Sequence, residues 1–173
     1  MSASQVAVFV AAGISCGIWW QAASSACVQA QGEPNVRTNT SRGELIYVPI
    51  YSSIFYENGK STLELAATLS IHNVNPDVKL TLVRADYYDT KGKLIKKYVD
   101  KPVILNPLET KNVVIDRADT AGGTGANFLV EWQAQEDVIS PLVESVMINA
   151  TSSLGIAFTT VGKVVKQTTS DSH

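Results

Sequence analysis

The segment LELAATLSIH, residues 63–72, decides the fold class of this chain. Its odd-numbered positions, from Leu63 to Ile71, are apolar, and they alternate with positions that are mostly polar. Successive side chains of a β-strand point to opposite faces of a sheet, so this period of two predicts a strand with one face in a core. The segment NVNPD, residues 73–77, ends the strand because proline lacks the N–H that a ladder needs.

The same periodicity recurs on both sides of this segment. Further strands are expected at 45–56 (interrupted by Pro49), 79–89, 93–99, 102–105, 112–117, 127–135, 142–149 and 155–165. About seven to nine short strands separated by turns predict an all-β fold, an antiparallel β-sandwich of immunoglobulin-like type, with a small barrel as the alternative. The lysines in 93–99 suit an edge strand. Phe128, Val130 and Trp132 should share one buried face.

The N-terminal region differs sharply from the rest in charge. No Lys, Arg, Asp or Glu precedes Glu33, and residues 6–20 form an apolar run followed by small residues at 21–26. This pattern is typical of a secretory signal peptide, although the first five residues carry no Lys or Arg. An uncleaved anchor is the alternative, since residues 6–28 can span about 30 Å of hydrocarbon. A buried cytosolic helix is the third interpretation.

These observations predict a four-part chain in an exported protein, periplasmic or anchored to a membrane. Residues 1–30 form the signal peptide or membrane anchor that precedes the sandwich, 31–43 a linker, 44–165 the β-sandwich domain and 166–173 a polar tail. Both cysteines, Cys16 and Cys27, lie in the first part, so no disulfide can staple the domain. Cys27 follows small residues, as in a bacterial lipoprotein box, and is the candidate lipidation site. An unmodified cysteine within or just past a cleaved signal is the alternative.

Five strings carry a resemblance to a known family: YVPIYSSI (47–54), ATLSIHN (67–73), YYDTKGKL (87–94), GGTGANF (122–128) and VEW (130–132). Together they resemble a family of bacterial exported proteins that is known only as a domain of unknown function. The resemblance covers residues 47–165. It implies an N-terminal export or lipoprotein signal and brings no activity with it.

Several kinds of chemistry are not expected. The formal net charge of −2 leaves no broad basic surface, so nucleic acid is not a predicted partner. The hydrolase, zinc, phosphate-loop and dinucleotide motifs are missing from the sequence, and no cofactor or metal is predicted. His72 is the one histidine placed to act in a site, and its position before a turn favours a solvent-facing or hydrogen-bonded role.

Carboxylates and one glycine-rich loop remain as candidates. Six acidic residues could supply a glycosidase-like pair or a calcium site: Asp86, Asp89, Asp116, Asp119, Glu131 and Glu136. The loop 119–127 is the candidate ligand or partner site, through Asp119, Gly122, Gly123, Gly125 and Asn127. A tight connection between strands is the alternative, because phosphate loops lead into a helix and 128–130 predicts a strand.

The leading hypothesis for function is a non-enzymatic binding or structural module of the cell envelope. It would contact an envelope protein or a cell-wall component through loops or an exposed strand edge, and the membrane through its N-terminal segment or a lipid. The alternative is a carboxylate-dependent hydrolase that acts on envelope glycans. A cytosolic stress-related β domain is a third interpretation, which requires a retained N-terminal helix.

Overall fold

A computed structural model describes residues 40–150 and 155–167 of the chain. The predicted signal or anchor, Cys27 and most of the predicted linker and tail lie outside these residues. The described part is all-β, apart from 3-10 turns at Glu57–Gly59 and Gly123–Gly125. Its strands are β1 (Thr40–Pro49), β2 (Ser53–Tyr56), β3 (Ser61–Glu64), β4 (Ala66–His72), β5 (Leu80–Tyr88), β6 (Leu94–Lys97), β7 (Val103–Leu105), β8 (Thr110–Ile115), β9 (Asn127–Ile139), β10 (Leu142–Asn149), β11 (Ile156–Val161) and β12 (Lys163–Gln167). Within it, no helix is long and apolar enough to cross a membrane.

The strands form two main sheets and one ribbon, and every pairing is antiparallel. Sheet 1 has the order β12-β1-β9-β5-β6, and β7 also pairs with β5. Sheet 2 has the order β11-β10-β4-β8, and β2 pairs with β3 in the ribbon. Strand β6, which carries Lys96 and Lys97, lies at an edge of sheet 1, as the lysines predicted.

One hydrophobic core takes side chains from both sheets. Phe128, Val130 and Trp132 of β9 are all buried, which confirms that they share one face. Leu65 and the apolar positions of β4 on sheet 2, Ala67, Leu69 and Ile71, are buried in the same core. The period of two therefore identified the buried face correctly in each sheet.

Three predicted strands are each divided in two, so the described residues contain more strands than expected. Pro49 ends β1 before β2, and Leu65 separates β3 in the ribbon from β4 in sheet 2. Gly162 separates β11 from β12, where the chain passes from sheet 2 to sheet 1. A Cβ at Gly162 would lie 2.6 Å from Cγ2 of Ile46, so only glycine fits this crossing.

The sheet extends beyond both predicted ends of the domain. Strand β1 begins at Thr40, inside the predicted linker 31–43, and pairs there with Ile139 of β9. Strand β12 continues through Gln167, inside the predicted tail 166–173, and pairs with Glu44. Pairing with strands distant in sequence orders these polar ends, which have no apolar alternation of their own.

Candidate functional site

The glycine loop is closed against two side chains from other parts of the fold. The hydroxyl of Ser52 accepts a hydrogen bond from the N–H of Gly123 at 2.7 Å. The hydroxyl of Thr90 accepts one from the N–H of Gly125 and donates one to the carbonyl of Gly122, both at 2.9 Å. Since the N–H groups of Gly123 and Gly125 already have internal partners, this geometry fits a structural connection between strands.

The glycines are needed for different reasons. Gly123 has a φ of +76°, a conformation that residues with a Cβ rarely adopt. Gly122 has an ordinary φ of −70°, but a Cβ there would fall on the hydroxyl of Tyr87. At Gly125 a Cβ would lie 3.0 Å from Cγ2 of Thr90. Positive φ therefore explains one glycine, and close packing explains the other two.

The two polar candidates of the loop lie at its ends. Asp119 accepts a hydrogen bond from the N–H of Ala121 at 3.1 Å, which closes the turn before the glycines. Asn127 is the first residue of β9 and pairs with Tyr88 of β5 and Pro49 of β1. The structure thus brings together the three glycines, with Asp119 and Asn127 flanking them. A ligand role for these five residues stays a prediction.

Tyr87 lies directly beneath the loop. Its ring is buried and stacks on Phe128, with the centroids 5.0 Å apart. Burial raises the pKa of Tyr87 to about 12, and the charge of Asp119 adds to the rise. The hydroxyl of Ser52 lies near the phenol and partly offsets this rise in pKa. The hydrogen bonds of Ser52 itself are with the backbone of Gly123. A neutral, buried phenol is therefore a fixed part of the loop's packing.

Acidic residues at the turns bond to backbone N–H groups. Asp89 accepts hydrogen bonds from the N–H groups of Lys91 and Lys93, each at 2.8 Å, as a hairpin turn requires. Asp116 accepts one from the N–H of Ala118 at 2.8 Å. Among the residues that the structure describes, no group of three or more His, Cys, Asp or Glu side chains could hold a metal ion.

Two of the six acidic candidates meet, on a shared arginine. Arg84 Nε lies 2.9 Å from Glu131 Oε2, and Arg84 Nη1 lies 3.6 Å from Asp86 Oδ2. Both carboxylates pair with one guanidinium, rather than presenting two free carboxyl groups to a substrate. The Arg84–Glu131 pair links β5 to β9, whereas Asp86 lies on the same strand as Arg84. Glu136 is separate and lines a cleft of about 480 Å³ with Lys79 and Ile104.

A buried carboxylate that the sequence did not single out lies in β1. Glu44 is only 4% exposed, and its oxygens accept hydrogen bonds from Ser140 Oγ at 2.8 Å and Trp132 Nε1 at 3.3 Å. These donors compensate for the lost hydration of the carboxylate. Glu44 also lines a smaller cleft of about 140 Å³, together with Lys166 and the Arg84–Glu131 pair.

His72 is hydrogen-bonded on the outer face of sheet 2. Its Nδ1 lies 2.9 Å from Thr110 Oγ1, and its Nε2 lies 3.6 Å from Glu144 Oε1. Thr110 on β8 is paired directly with His72 on β4. Glu144 on β10 lies diagonally across from His72, two residues along the strand from its paired position. This placement agrees with the hydrogen-bonded role that the sequence predicted.

Strand β11 is the longest edge strand of the described sheets that contains no charged residue. It pairs with β10 on one side and has no partner on the other side among the described residues. Its sequence, IAFTTV, contains no charged residue and no proline. Exposed edges present unpaired backbone N–H and C=O groups, and proteins usually protect them with lysine, proline or a cover. Strand β11 contains neither a lysine nor a proline to protect its edge.

The outer face of sheet 2 continues this uncharged surface. Apart from His72, Glu144 is the one acidic or basic side chain on it among the described strands. The other outer positions are Ala66, Thr68, Ser70, Thr110, Asn112, Val114, Leu142, Val146, Ile148, Ala157, Thr159 and Val161. Val161 is 61% exposed and Ile148 is 43% exposed. The outer face of sheet 1 instead carries the row Arg84, Glu131, Leu45 and Lys166.

Sequence reasoning proposed an exposed strand edge but did not identify β11. The missed signal was the contrast between segments, since 94–97 and 163–167 each contain two lysines and 156–161 contains none. Ser52 and Thr90, which fix the glycine loop, gave no local signal, because Ser52 lies 71 residues from Gly123 and Thr90 lies 35 from Gly125.

Comparison with known proteins places the chain in a family. A family model described as "Protein of unknown function (DUF3124)" matches residues 43–165, and the chain belongs to this family. The match confirms the resemblance to a family known only as a domain of unknown function, and export stays a prediction. No curated protein matches the chain. The crystal structure of Thermotoga maritima 1070 aligns with 75% of this chain and 99% of that chain, at 12% identity and a TM-score of 0.44.

Proposed function

We propose that this chain is an exported, immunoglobulin-like β-sandwich that acts as a non-enzymatic binding module of the cell envelope. Its antiparallel sheets and their common core support the sandwich. The uncharged N-terminal region with its apolar run at 6–20 supports export, and Cys27 supplies a site for a lipid anchor. The family described as of unknown function adds no activity to this proposal.

One observation carries the binding role: the uncharged edge of β11 borders the weakly polar outer face of sheet 2. A polypeptide in an extended conformation can add to such an edge through backbone hydrogen bonds, while side chains on the adjoining face give specificity. Val161 lies on the edge strand itself and is substantially exposed, so the side chains of an added strand would pack beside it, while the exposed Ile148 lies one strand further in on the same face. We therefore assign partner recognition to β11 rather than to the glycine loop.

Photo-crosslinking in intact cells tests the binding role. A photoreactive residue replaces Thr159 at the centre of β11, and the control replaces Val114, which is 66% exposed on the opposite edge strand β8. We expect ultraviolet light to give a polypeptide adduct from position 159 and little from 114. Equal yields at both positions, or none at 159, would contradict recognition through β11.

Fractionation with intact-mass measurement tests the compartment. We expect the mature chain in the envelope fraction, beginning at Cys27 with added lipid mass, and we expect Cys27→Ala to remain unprocessed or to become soluble. A mature wild-type chain that starts at Gln31 without lipid would contradict the anchor and leave export intact. An unprocessed wild-type chain in the cytosol would contradict export itself.

A further inference from the structure

We infer that the partner of β11 is a second copy of this chain, which pairs β11 with β11 in antiparallel fashion about a two-fold axis. This inference rests on the proposed recognition through the β11 edge. Pairing would join the two copies of sheet 2 into one continuous sheet of eight strands, since each copy contributes β11, β10, β4 and β8. Such a contact is self-complementary and closes after two subunits.

Charge and length distinguish β11 from the other edges of the main sheets. Strand β7 is also an uncharged edge, but it is only three residues long and follows Pro102. Strand β6 carries Lys96 and Lys97, and β12 carries Lys163 and Lys166. Strand β8 carries Lys111, an exposed side chain on the same side of the sheet as its paired residue Ile71. A lysine on an edge strand discourages pairing with another chain, and two-fold pairing about a lysine position would oppose like charges, which is destabilising. The β11 edge meets no such repulsion.

The alternation of half-buried and exposed side chains along β11 restricts the register in which two copies can pair. In an antiparallel pair, facing residues lie on the same side of the sheet, so a two-fold axis must pass through a residue position. An axis at Phe158 would oppose two Phe side chains that already pack against the core beside Tyr51. An axis at Thr159 opposes two exposed threonines and places Ala157 against Val161 of the second copy. The axis at Thr159 is therefore favoured.

This register also suits the residues at the ends of β11. It places Lys163, just after the strand, opposite Gly155 of the second copy rather than opposite another lysine. Glu144 lies on β10, one strand away from the edge, beside His72. A strongly charged partner strand would find no opposite charge along β11, whereas an identical uncharged strand needs none. The absence of charge on β11 thus favours a second copy over a charged peptide.

Disulfide trapping of the full chain tests the inference. Facing Cα atoms in an antiparallel pair lie about 4.5–5.5 Å apart, within the range that a disulfide can bridge. We expect Thr159→Cys to give disulfide-linked dimers on mild oxidation at a yield about tenfold above that of Val114→Cys. Peptide mass mapping identifies the bond between the two introduced thiols and separates it from bonds of Cys16 or Cys27. Equal yields would overturn the inference.

Sedimentation equilibrium provides a second measurement. We expect wild-type chain to dimerise, and Thr159→Lys to weaken dimerisation about tenfold or more, while Val114→Lys leaves it unchanged. Val161→Lys replaces Thr159→Lys if the latter unfolds. A monomeric wild type together with a heterologous adduct in the crosslinking experiment would overturn the inference but retain recognition through β11. Loss of every adduct at position 159 would overturn both.

Discussion

Gly122→Ala isolates the packing between the glycine loop and the core. Gly122 is buried and has a φ of −70°, so its backbone accepts alanine without strain. The new Cβ would coincide with the Tyr87 hydroxyl and lie 2.8 Å from Cζ of the same ring and 2.7 Å from the Cβ of Ala126. Because the Tyr87 ring is buried and stacked on Phe128, it cannot move freely aside. We expect a loss of about 1–3 kcal/mol in unfolding free energy, as for other overpacked sites.

Urea unfolding of matched variants measures this loss. Gly155→Ala is the control, because a Cβ at Gly155 meets no atom within 4 Å and no positive φ is involved. That control should be neutral or more stable by up to about 1 kcal/mol, through lower entropy of the unfolded chain. Adding Tyr87→Phe removes the clashing oxygen and should restore part of the loss from Gly122→Ala. Equal stability of Gly122→Ala and Gly155→Ala would refute the packing explanation.

Three further predictions concern the core, pH and metals. Trp132→Ala should lower the unfolding free energy by about 3–5 kcal/mol because Trp132 is buried. Gln133→Ala should change it by less than about 0.5 kcal/mol because Gln133 is exposed. Equal losses in urea unfolding would contradict the β9 register. Burial raises the pKa of Tyr87 from 10.0 to about 12, so this residue's stabilisation is complete below pH 10 and falls as pH rises towards 12. Over that interval wild type should lose roughly 2–3 kcal/mol more than Tyr87→Phe in urea titrations, and parallel curves would contradict the buried phenol. EDTA should leave the melting temperature unchanged, and a drop restored by one cation would reveal a metal site.

Much of the fold could be predicted from the sequence because its strands are amphipathic. The alternation in 63–72 and in 128–132 identified core-facing residues, since every second side chain of a strand points to the same face of the sheet. The ends were less predictable. Thr40 is ordered by pairing with Ile139, and the division of β11 from β12 depends on the crossing at Gly162. The sequence near Thr40 gives no signal of this pairing, and Gly162 marks a break without revealing that Ile46 lies against it.

The candidate site was less accessible to sequence reasoning than the fold. The glycine loop was recognised, but the partners that explain it, Ser52, Tyr87 and Thr90, come from other strands and turns. Whether a strand is an edge follows from the order of strands in the sheet, which local periodicity does not specify. The uncharged composition of β11 became informative only once sheet topology placed it beside β10 with its other side unpaired among the described residues.

Hydrogen exchange along β11 tests recognition through this edge most directly. At roughly 100 μM full chain, the β11 amides that point away from β10 should exchange slowly, and at roughly 1 μM they should exchange at the rate of an open edge. Thr159→Lys should remove this dependence on concentration, and the amides of β8 should not show it. Fast exchange of the outward β11 amides at both concentrations, matching that of β8, would contradict self-pairing. If the same amides also stay fast in whole-cell envelope extract, the assignment of partner recognition to β11 is wrong.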